Sequence, residues 1–200
     1  MMSNSLMFQR GAVHGEYDDP DFSNFYGQTM PLVKRGVPVR IMHLENVSYP
    51  ETWKDAKVVV LSYANMKPMD PESHKYIAEW VKQGGNLVYC AQDKDPYQQV
   101  LEWWNQKGNN YLSPSGHLFE QMGMKPDAVA GEYRYGKGFV RIIREDPKEF
   151  VLKAGADAGY IQAVKEMYER GADAGKLLFK NSFYLERAPY EIAVVIDCLL

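Results

Sequence analysis

Cysteines, histidines and long apolar runs are scarce in this chain of 200 residues. The two cysteines, Cys90 and Cys198, are too few for a disulfide framework, and each is predicted to be a small buried apolar residue. The four histidines are scattered singly, so the sequence predicts no metal site, because a metal needs several ligands at a suitable spacing. The paired glycines Gly84 and Gly85 follow a predicted helix, which is the wrong end for holding a phosphate. No bound cofactor is therefore predicted.

The charge balance and the hydropathy exclude several classes of partner. A net charge of −3 and an isoelectric point near 5.8 provide no basic field, so neither nucleic acid nor an anionic membrane surface is an expected partner. No apolar stretch reaches the length needed to span a bilayer, and residues 1–10 lack the pattern of a signal peptide. The chain is expected to be soluble, either cytoplasmic or exported with a signal peptide that lies outside the sequence given.

The strongest structural signal runs from residue 57 to residue 96 and predicts a strand, a helix and a second strand. Residues 57–62 form a short apolar run rich in β-branched side chains, which is typical of a parallel strand covered on both faces. The Asp-Pro-Glu sequence at 70–72 supplies helix-start signals, and Gly84 supplies a stop. The next strand is predicted over residues 86–90. Such a βαβ unit presents the carboxyl ends of its strands to a ligand.

The other predicted elements extend this unit into an α/β fold. Further helices are predicted over residues 21–34, 97–107, 115–122 and 156–170, and further strands over 5–9, 37–43, 132–135, 138–143, 181–186 and 191–196. We predict a flavodoxin-like open parallel sheet with helices on both faces for residues 1–175. Residues 176–200 are expected to begin a truncated β-rich domain or to form edge strands.

Two kinds of side chain at the carboxyl ends of the predicted strands are candidates for catalysis. Cys90 ends a strand that precedes a helix-start signal, and as a nucleophile it would need a base, for which His117 is the one histidine downstream. The acids Asp93 and Asp95 follow the same strand, and together with acids after the first strand they could flank a glycosidic bond. Turn and N-cap roles beside prolines explain these acids equally well, and Cys90 lacks the flanking glycines of a nucleophile elbow, so the structural alternatives stay open.

A resemblance to a known family rests on three runs, which are residues 58–62, Met69-Asp70 and residues 77–89. Together they resemble the central segment of the β-galactosidase trimerisation domain of glycoside hydrolase family 42, which is similar in fold to the class I glutamine amidotransferases. The Gly-Lys-Gly sequence within residues 135–140 also matches such domains, and the resemblance covers roughly residues 5–143. It implies an accessory domain that contributes oligomer contacts or part of the wall of a neighbouring active site. In the related amidotransferases, the catalytic cysteine lies at about the place of Cys90.

Three hypotheses for function follow. The first is a non-catalytic accessory or oligomerisation domain of a glycoside hydrolase-related protein, a homo-oligomer that meets carbohydrate through its parent protein. The second is a small cysteine-dependent hydrolase or amidotransferase that uses Cys90 with His117. The third is a sugar-binding module that uses aromatic residues of its loops. The candidate ligand-binding residues are Arg10, Tyr17, Asp18, Asp19, Tyr63 and Tyr97.

Overall fold

The computed structural model describes Met1 and residues 23–170. The strands predicted over residues 5–9, 181–186 and 191–196, and the candidate residues Arg10, Tyr17, Asp18 and Asp19, lie outside the described residues. Within the described part, the strands are β1 (Val58–Leu61), β2 (Asn86–Cys90), β3 (Gly131–Tyr135) and β4 (Gly138–Ile143). They form a mixed sheet in the order β1-β2-β4-β3, in which β1, β2 and β4 are parallel and β3 pairs antiparallel with β4.

Helices cover both faces of this sheet. They are α1 (Ser23–Val33), α2 (Pro50–Trp53), α3 (Glu72–Gln83), α4 (Pro114–Gln121), α5 (Glu149–Leu152) and α6 (Ala158–Tyr168), with 3-10 helices at Leu44–Asn46 and Pro96–Gln99. On one face, Leu87 and Tyr89 pack with buried residues of α3 and α4. On the other face, Val88 and Cys90 pack with buried residues of α5 and α6 and with Leu32 of α1. The predicted flavodoxin-like α/β fold with helices on both faces is confirmed.

The predicted βαβ unit is present as β1, α3 and β2. All five residues of β2 are buried, as expected for a strand with parallel neighbours on both sides and helices above and below. The Asp70 carboxylate accepts the backbone N–H of Glu72 at 2.8 Å just before α3, but the N-cap of this helix is Pro71 and not the predicted Asp70. The predicted hairpin is β3 and β4, and its Gly138 lies so close to the end of α3 that an added Cβ would be 2.1 Å from the carbonyl oxygen of Gly85. Only glycine fits at this position.

The helix predicted over residues 97–107 is wrong. One turn of 3-10 helix forms at Pro96–Gln99, and a loop of turns follows. Side-chain amides in this loop bind backbone carbonyls in place of a helical ladder, since Asn105 Nδ2 donates to Val100 O at 2.9 Å and Asn109 Nδ2 donates to Trp103 O at 2.6 Å. The helical spacing of its apolar residues is therefore misleading.

The strand predicted over residues 37–43 is also wrong, because residues 37–42 have no regular secondary structure. Pro38 has no N–H to give to a strand ladder, and the Arg40 guanidinium instead donates to Thr52 O at 2.9 Å and Lys54 O at 2.8 Å. A cavity of about 540 Å³ lies along β1, lined by residues 37–42 and 58–60 among others. In the part of the chain that the structure describes, no helix is long and apolar enough to cross a membrane.

Candidate functional site

The carboxyl ends of β1, β2 and β4 carry a set of interlocked polar side chains, and Asp93 lies at its centre. Asp93 follows β2 closely and has a φ of 56°, a left-handed conformation that aspartate tolerates better than most residues. Its Oδ1 accepts the Tyr89 hydroxyl at 2.6 Å, and its Oδ2 accepts the Ser115 hydroxyl at 2.7 Å and the Arg144 Nη1. We call Tyr89, Asp93, Ser115 and Arg144 the acid cluster. Each donor of the cluster comes from a different element or from the loop that follows one.

Arg144, the residue after β4, holds the acid cluster in place. Its Nη2 donates to the Ala128 carbonyl at 2.6 Å, and its guanidinium lies over the Tyr89 and Phe119 rings at 5.8 and 5.5 Å from their centroids. Burial, and after it the charge of Asp93, raises the pKa of Tyr89 well above its usual value. Tyr89 therefore stays a neutral hydrogen-bond donor to Asp93 across the physiological range.

A second chain of hydrogen bonds, which we call the histidine relay, consists of Tyr63, His74 and His117. The Tyr63 hydroxyl lies 2.7 Å from His74 Nε2, and His74 Nδ1 lies 2.8 Å from His117 Nδ1. Tyr63 and His74 are fully buried, whereas His117 is half-buried. Burial lowers the pKa of His74 well below its usual value, with a smaller contribution from His117. The relay thus connects a buried hydroxyl at the end of β1 to a partly exposed imidazole on α4.

Aromatic rings surround the outer end of the histidine relay. The Trp103 ring meets the His74 and His117 rings edge-on, with centroid separations of 5.7 and 5.5 Å, and the Tyr111 ring meets His117 in the same way at 5.5 Å. Trp103 Nε1 donates to the Pro68 carbonyl at 2.9 Å, which ties the loop of residues 100–113 to the loop after β1. Trp103 and Tyr111 remain half-exposed, so they can contact a ligand at this edge.

A buried ion pair between Lys67 and Asp95 joins the loops that follow β1 and β2. Lys67 Nζ lies 2.6 Å from Asp95 Oδ2 and donates to the Tyr63 carbonyl at 2.5 Å. Asp95 also accepts the backbone N–H of Tyr97 at 3.1 Å and the side-chain amide of Gln98 at 2.8 Å, so it acts as the N-cap of the short helix Pro96–Gln99. Burial lowers the pKa of Lys67, and Asp95 opposes that shift. Asp95 therefore has the structural role that the sequence also allowed, that of an N-cap before a proline.

The structure does not bring Cys90 and His117 together. Successive residues of a strand point to opposite faces of a sheet, and the thiol of Cys90 packs with Tyr160 on the face away from Tyr89 and α4. Its Sγ lies 3.6 Å from the Glu145 carbonyl, and burial raises its pKa far above the usual value for a thiol. The side chain is fully buried, so a substrate at the carboxyl edge does not reach it.

The remaining predicted residues differ in their access to solvent. Tyr63 is fully buried and serves the relay, so it does not contact a ligand directly, whereas Tyr97 is half-buried. The side chain of Asp93 is 10% exposed, and both of its oxygens are engaged in the acid cluster. Sequence reasoning missed His74, Ser115 and Arg144, whose partners His117 and Asp93 lie 22 to 51 residues away along the chain.

No group of three or more histidine, cysteine, aspartate or glutamate side chains is placed to hold a metal ion within residues 23–170. The partly exposed side chains described at the carboxyl edge include Trp103, Tyr111 and His117, which offer aromatic contact and hydrogen bonding. Comparison of the chain with protein-family models, with curated proteins and with solved structures found no match.

Proposed function

We propose that this chain is a non-catalytic accessory domain of a carbohydrate-active protein, and that it works through assembly and contact at the carboxyl edge of its sheet. The observation that carries the proposal is the position of Cys90. It ends β2, where a nucleophile would stand in an enzyme of this fold class, yet its thiol is fully buried on the face opposite His117. A buried thiol with a raised pKa supplies no thiolate for attack.

The acids of the carboxyl edge support the same proposal. A glycosidase needs two carboxyl groups that are free to face one glycosidic bond from opposite sides. Asp93 is held by Tyr89, Ser115 and Arg144, and Asp95 is held by Lys67. These carboxylates are engaged in organising the loops, which favours a structural role for both.

The surface around His117 supports a contact role. Trp103 and Tyr111 are half-exposed beside His117, and two residues of the same loop expose large apolar side chains, Leu101 at 70% and Leu112 at 87%. Aromatic rings with neighbouring hydrogen-bonding groups are suited to the apolar face and the hydroxyls of a sugar, and exposed leucines are suited to a protein surface. This loop is the part of the edge that we expect to meet carbohydrate or a second copy of the chain.

Hydrolysis of a simple activated ester tests whether the chain is catalytic. The wild-type chain is expected to hydrolyse p-nitrophenyl acetate no faster than Cys90→Ala, because the thiol does not reach the substrate. Turnover that is present in the wild type and lost in Cys90→Ala would support the cysteine-dependent hydrolase instead.

Light scattering and sugar titration test the accessory role itself. The intact chain is expected to form an oligomer or to bind oligosaccharides, and Trp103→Ala should weaken whichever of the two occurs. Tyr49→Ala is the control, because Tyr49 is an aromatic residue that is 62% exposed elsewhere on the surface, and it should change neither measurement. A strict monomer that binds no sugar would contradict the proposal.

A further inference from the structure

The histidine relay has two possible directions of hydrogen bonding. A neutral imidazole donates from one nitrogen and accepts at the other, and a tyrosine hydroxyl can do either. In the outward direction, the Tyr63 hydroxyl donates to His74 Nε2, and His74 Nδ1–H donates to His117 Nδ1. In the inward direction, His117 Nδ1–H donates to His74 Nδ1, and His74 Nε2–H donates to the Tyr63 oxygen. The distances of 2.7 and 2.8 Å accommodate both directions.

The charge state of His117 selects between these directions. A protonated imidazole donates from both nitrogens, so a charged His117 is compatible only with the inward direction. In that direction His74 donates to the Tyr63 oxygen and no longer accepts the hydrogen of the Tyr63 hydroxyl. Among the described residues, His74 is the hydrogen-bond partner of that hydroxyl, so its hydrogen is left without an acceptor. The outward direction gives the Tyr63 hydroxyl and both nitrogens of His74 a partner, and it requires a neutral His117 with its hydrogen on Nε2. That nitrogen lies 3.5 Å from the side-chain amide of Gln121, which donates in the orientation shown and accepts after rotation by 180°.

We propose that the histidine relay is a proton-responsive switch, in which uptake of one proton by His117 reverses both hydrogen bonds and moves the proton of His74 from Nδ1 to Nε2. His117 Nδ1 gains the hydrogen that His74 Nδ1 gives up, and the added proton replaces that hydrogen at His74 Nε2, so that His117 ends charged while His74 and Tyr63 each carry one proton. The change reaches from the half-exposed surface of α4 to the fully buried end of β1. It needs no movement of the backbone, because only the positions of hydrogens differ.

The charged groups around the relay place the titration on His117. Glu120 of α4 favours the charged form of His117, although burial outweighs it and lowers the pKa of His117. The Tyr111 hydroxyl donates to Glu120 and so shares that carboxylate. Burial and the neighbouring His117 together keep His74 neutral. The first proton taken up therefore resides at the surface end.

The groups at the buried end resist the inward direction. Burial, and after it the charge of Asp93 on the loop after β2, raises the pKa of Tyr63 well above its usual value, and the buried Tyr89 ring lies against the Tyr63 ring. Arg144 pairs with Asp93 in the acid cluster. Lys67 donates to the carbonyl of Tyr63 and forms an ion pair with Asp95. Tyr63 thus remains a hydroxyl, and reversal must leave that hydroxyl without its acceptor.

Nitrogen NMR of the histidine rings in the full chain tests the switch directly, since the two ring nitrogens report the tautomer. His74 is expected to be the Nδ1–H tautomer at pH 8 and to become the Nε2–H tautomer with the same midpoint at which His117 becomes charged. A His74 that keeps one tautomer while His117 titrates would overturn the proposal, as would a His74 that becomes charged before His117.

Three variants separate the switch from a general effect of pH. In His117→Gln, His74 is expected to keep one tautomer from pH 8 to pH 5. In Tyr63→Phe, His74 Nε2 lacks a partner in both directions, so the inward direction no longer costs one hydrogen bond more than the outward one, and the midpoint of His117 should rise by about one pH unit. His43→Gln, which alters an exposed histidine outside the relay, should leave the midpoint unchanged. A Tyr63→Phe chain that stays folded and titrates at the wild-type midpoint, or below it, would overturn the proposal.

Discussion

Substitution of Lys67 by methionine should destabilise the fold far more than removal of a surface lysine. The side chains of Lys67 and Asp95 are only 1% and 4% exposed, and their charged atoms are 2.6 Å apart. Lys67→Met fills similar space but leaves the Asp95 carboxylate buried, with only the Tyr97 N–H and the Gln98 amide as donors. Breaking a buried pair by removing one partner costs about 3–5 kcal/mol, because the remaining charge is desolvated and uncompensated.

The assay is urea unfolding at pH 7, followed by tryptophan fluorescence and extrapolated to the free energy of unfolding in water. The double variant Lys67→Met/Asp95→Asn should recover about 2 kcal/mol or more, since no buried charge remains without a partner. Lys75→Met serves as the matched control, because Lys75 pairs with Glu72 at a site where both side chains are more than half exposed, and it should change little. The reasoning is refuted if Lys67→Met is as mild as Lys75→Met, or if the double variant is no more stable than the single one.

Three further predictions use the same unfolding measurement, and a fourth uses its dependence on pH. Gly138→Ala should lower the free energy of unfolding by about 1–3 kcal/mol, because its Cβ would lie 2.1 Å from the Gly85 carbonyl oxygen; an unchanged value would show that α3 moves aside freely. Gly159→Ala in α6 meets no neighbour and should raise stability by about 0.5–1 kcal/mol, and a loss would contradict the helical geometry there. Ser115→Ala removes a hydrogen bond to a carboxylate from a residue that is 1% exposed and should cost about 1–3 kcal/mol, so a neutral result would show that this bond is not formed. Burial in the folded state lowers the pKa of His74 below its ordinary 6.5, so the unfolded state takes up a proton first as the pH falls. The stability that the neutral His74 ring contributes is therefore complete above pH 6.5 and is lost below it. Stability that is constant from pH 7 to pH 5 would argue against the buried neutral ring.

The parts of the fold that the sequence predicts well are those set by local signals. The unit β1-α3-β2 is marked by an apolar β-branched run, by the Asp-Pro-Glu sequence at 70–72 and by glycines that end the helix, and all three elements form, with the N-cap at Pro71, one residue after the predicted Asp70. The hairpin of β3 and β4 has a turn through Gly136 with a φ of 60°, which glycine adopts without strain. In both places the residues that decide the conformation lie within a few positions of the element.

The two wrong predictions have the opposite origin. Residues 97–107 include apolar residues at helical spacing, but Trp104 is buried and Leu101 is 70% exposed, so the pattern does not mark one helix face. Asn105 and Asn109 decide the conformation by binding backbone carbonyls of the same loop. Residues 37–43 alternate like a strand, yet Pro38 and the hydrogen bonds of Arg40 leave residues 37–42 without strand structure, and His43 forms only an isolated bridge.

The candidate site could be located from sequence only to one edge of the sheet. Asp93 and Asp95 are recognisable as polar residues near a predicted strand end, but Lys67, Ser115 and Arg144, which bind these acids, depend on pairing across 22 to 51 residues of chain. Side chains alternate between the two faces of the sheet along β2, so of the neighbours Tyr89 and Cys90 only one can face α4. Which of the two does so is settled by tertiary packing and not by the sequence of the strand.

The reactivity of the Cys90 thiol tests the central proposal most directly, namely that Cys90, at the carboxyl edge of this sheet, is not an activated nucleophile. In a Cys198→Ser chain, Cys90 is the one remaining thiol, and its rate of alkylation by iodoacetamide at pH 7.5 can be compared between the folded chain and the same chain in urea. We predict that folding slows the reaction by at least about tenfold, because the thiol is fully buried and its pKa is raised. Alkylation that is faster in the folded chain than in urea would contradict the account, since only an exposed and activated thiolate reacts in that way.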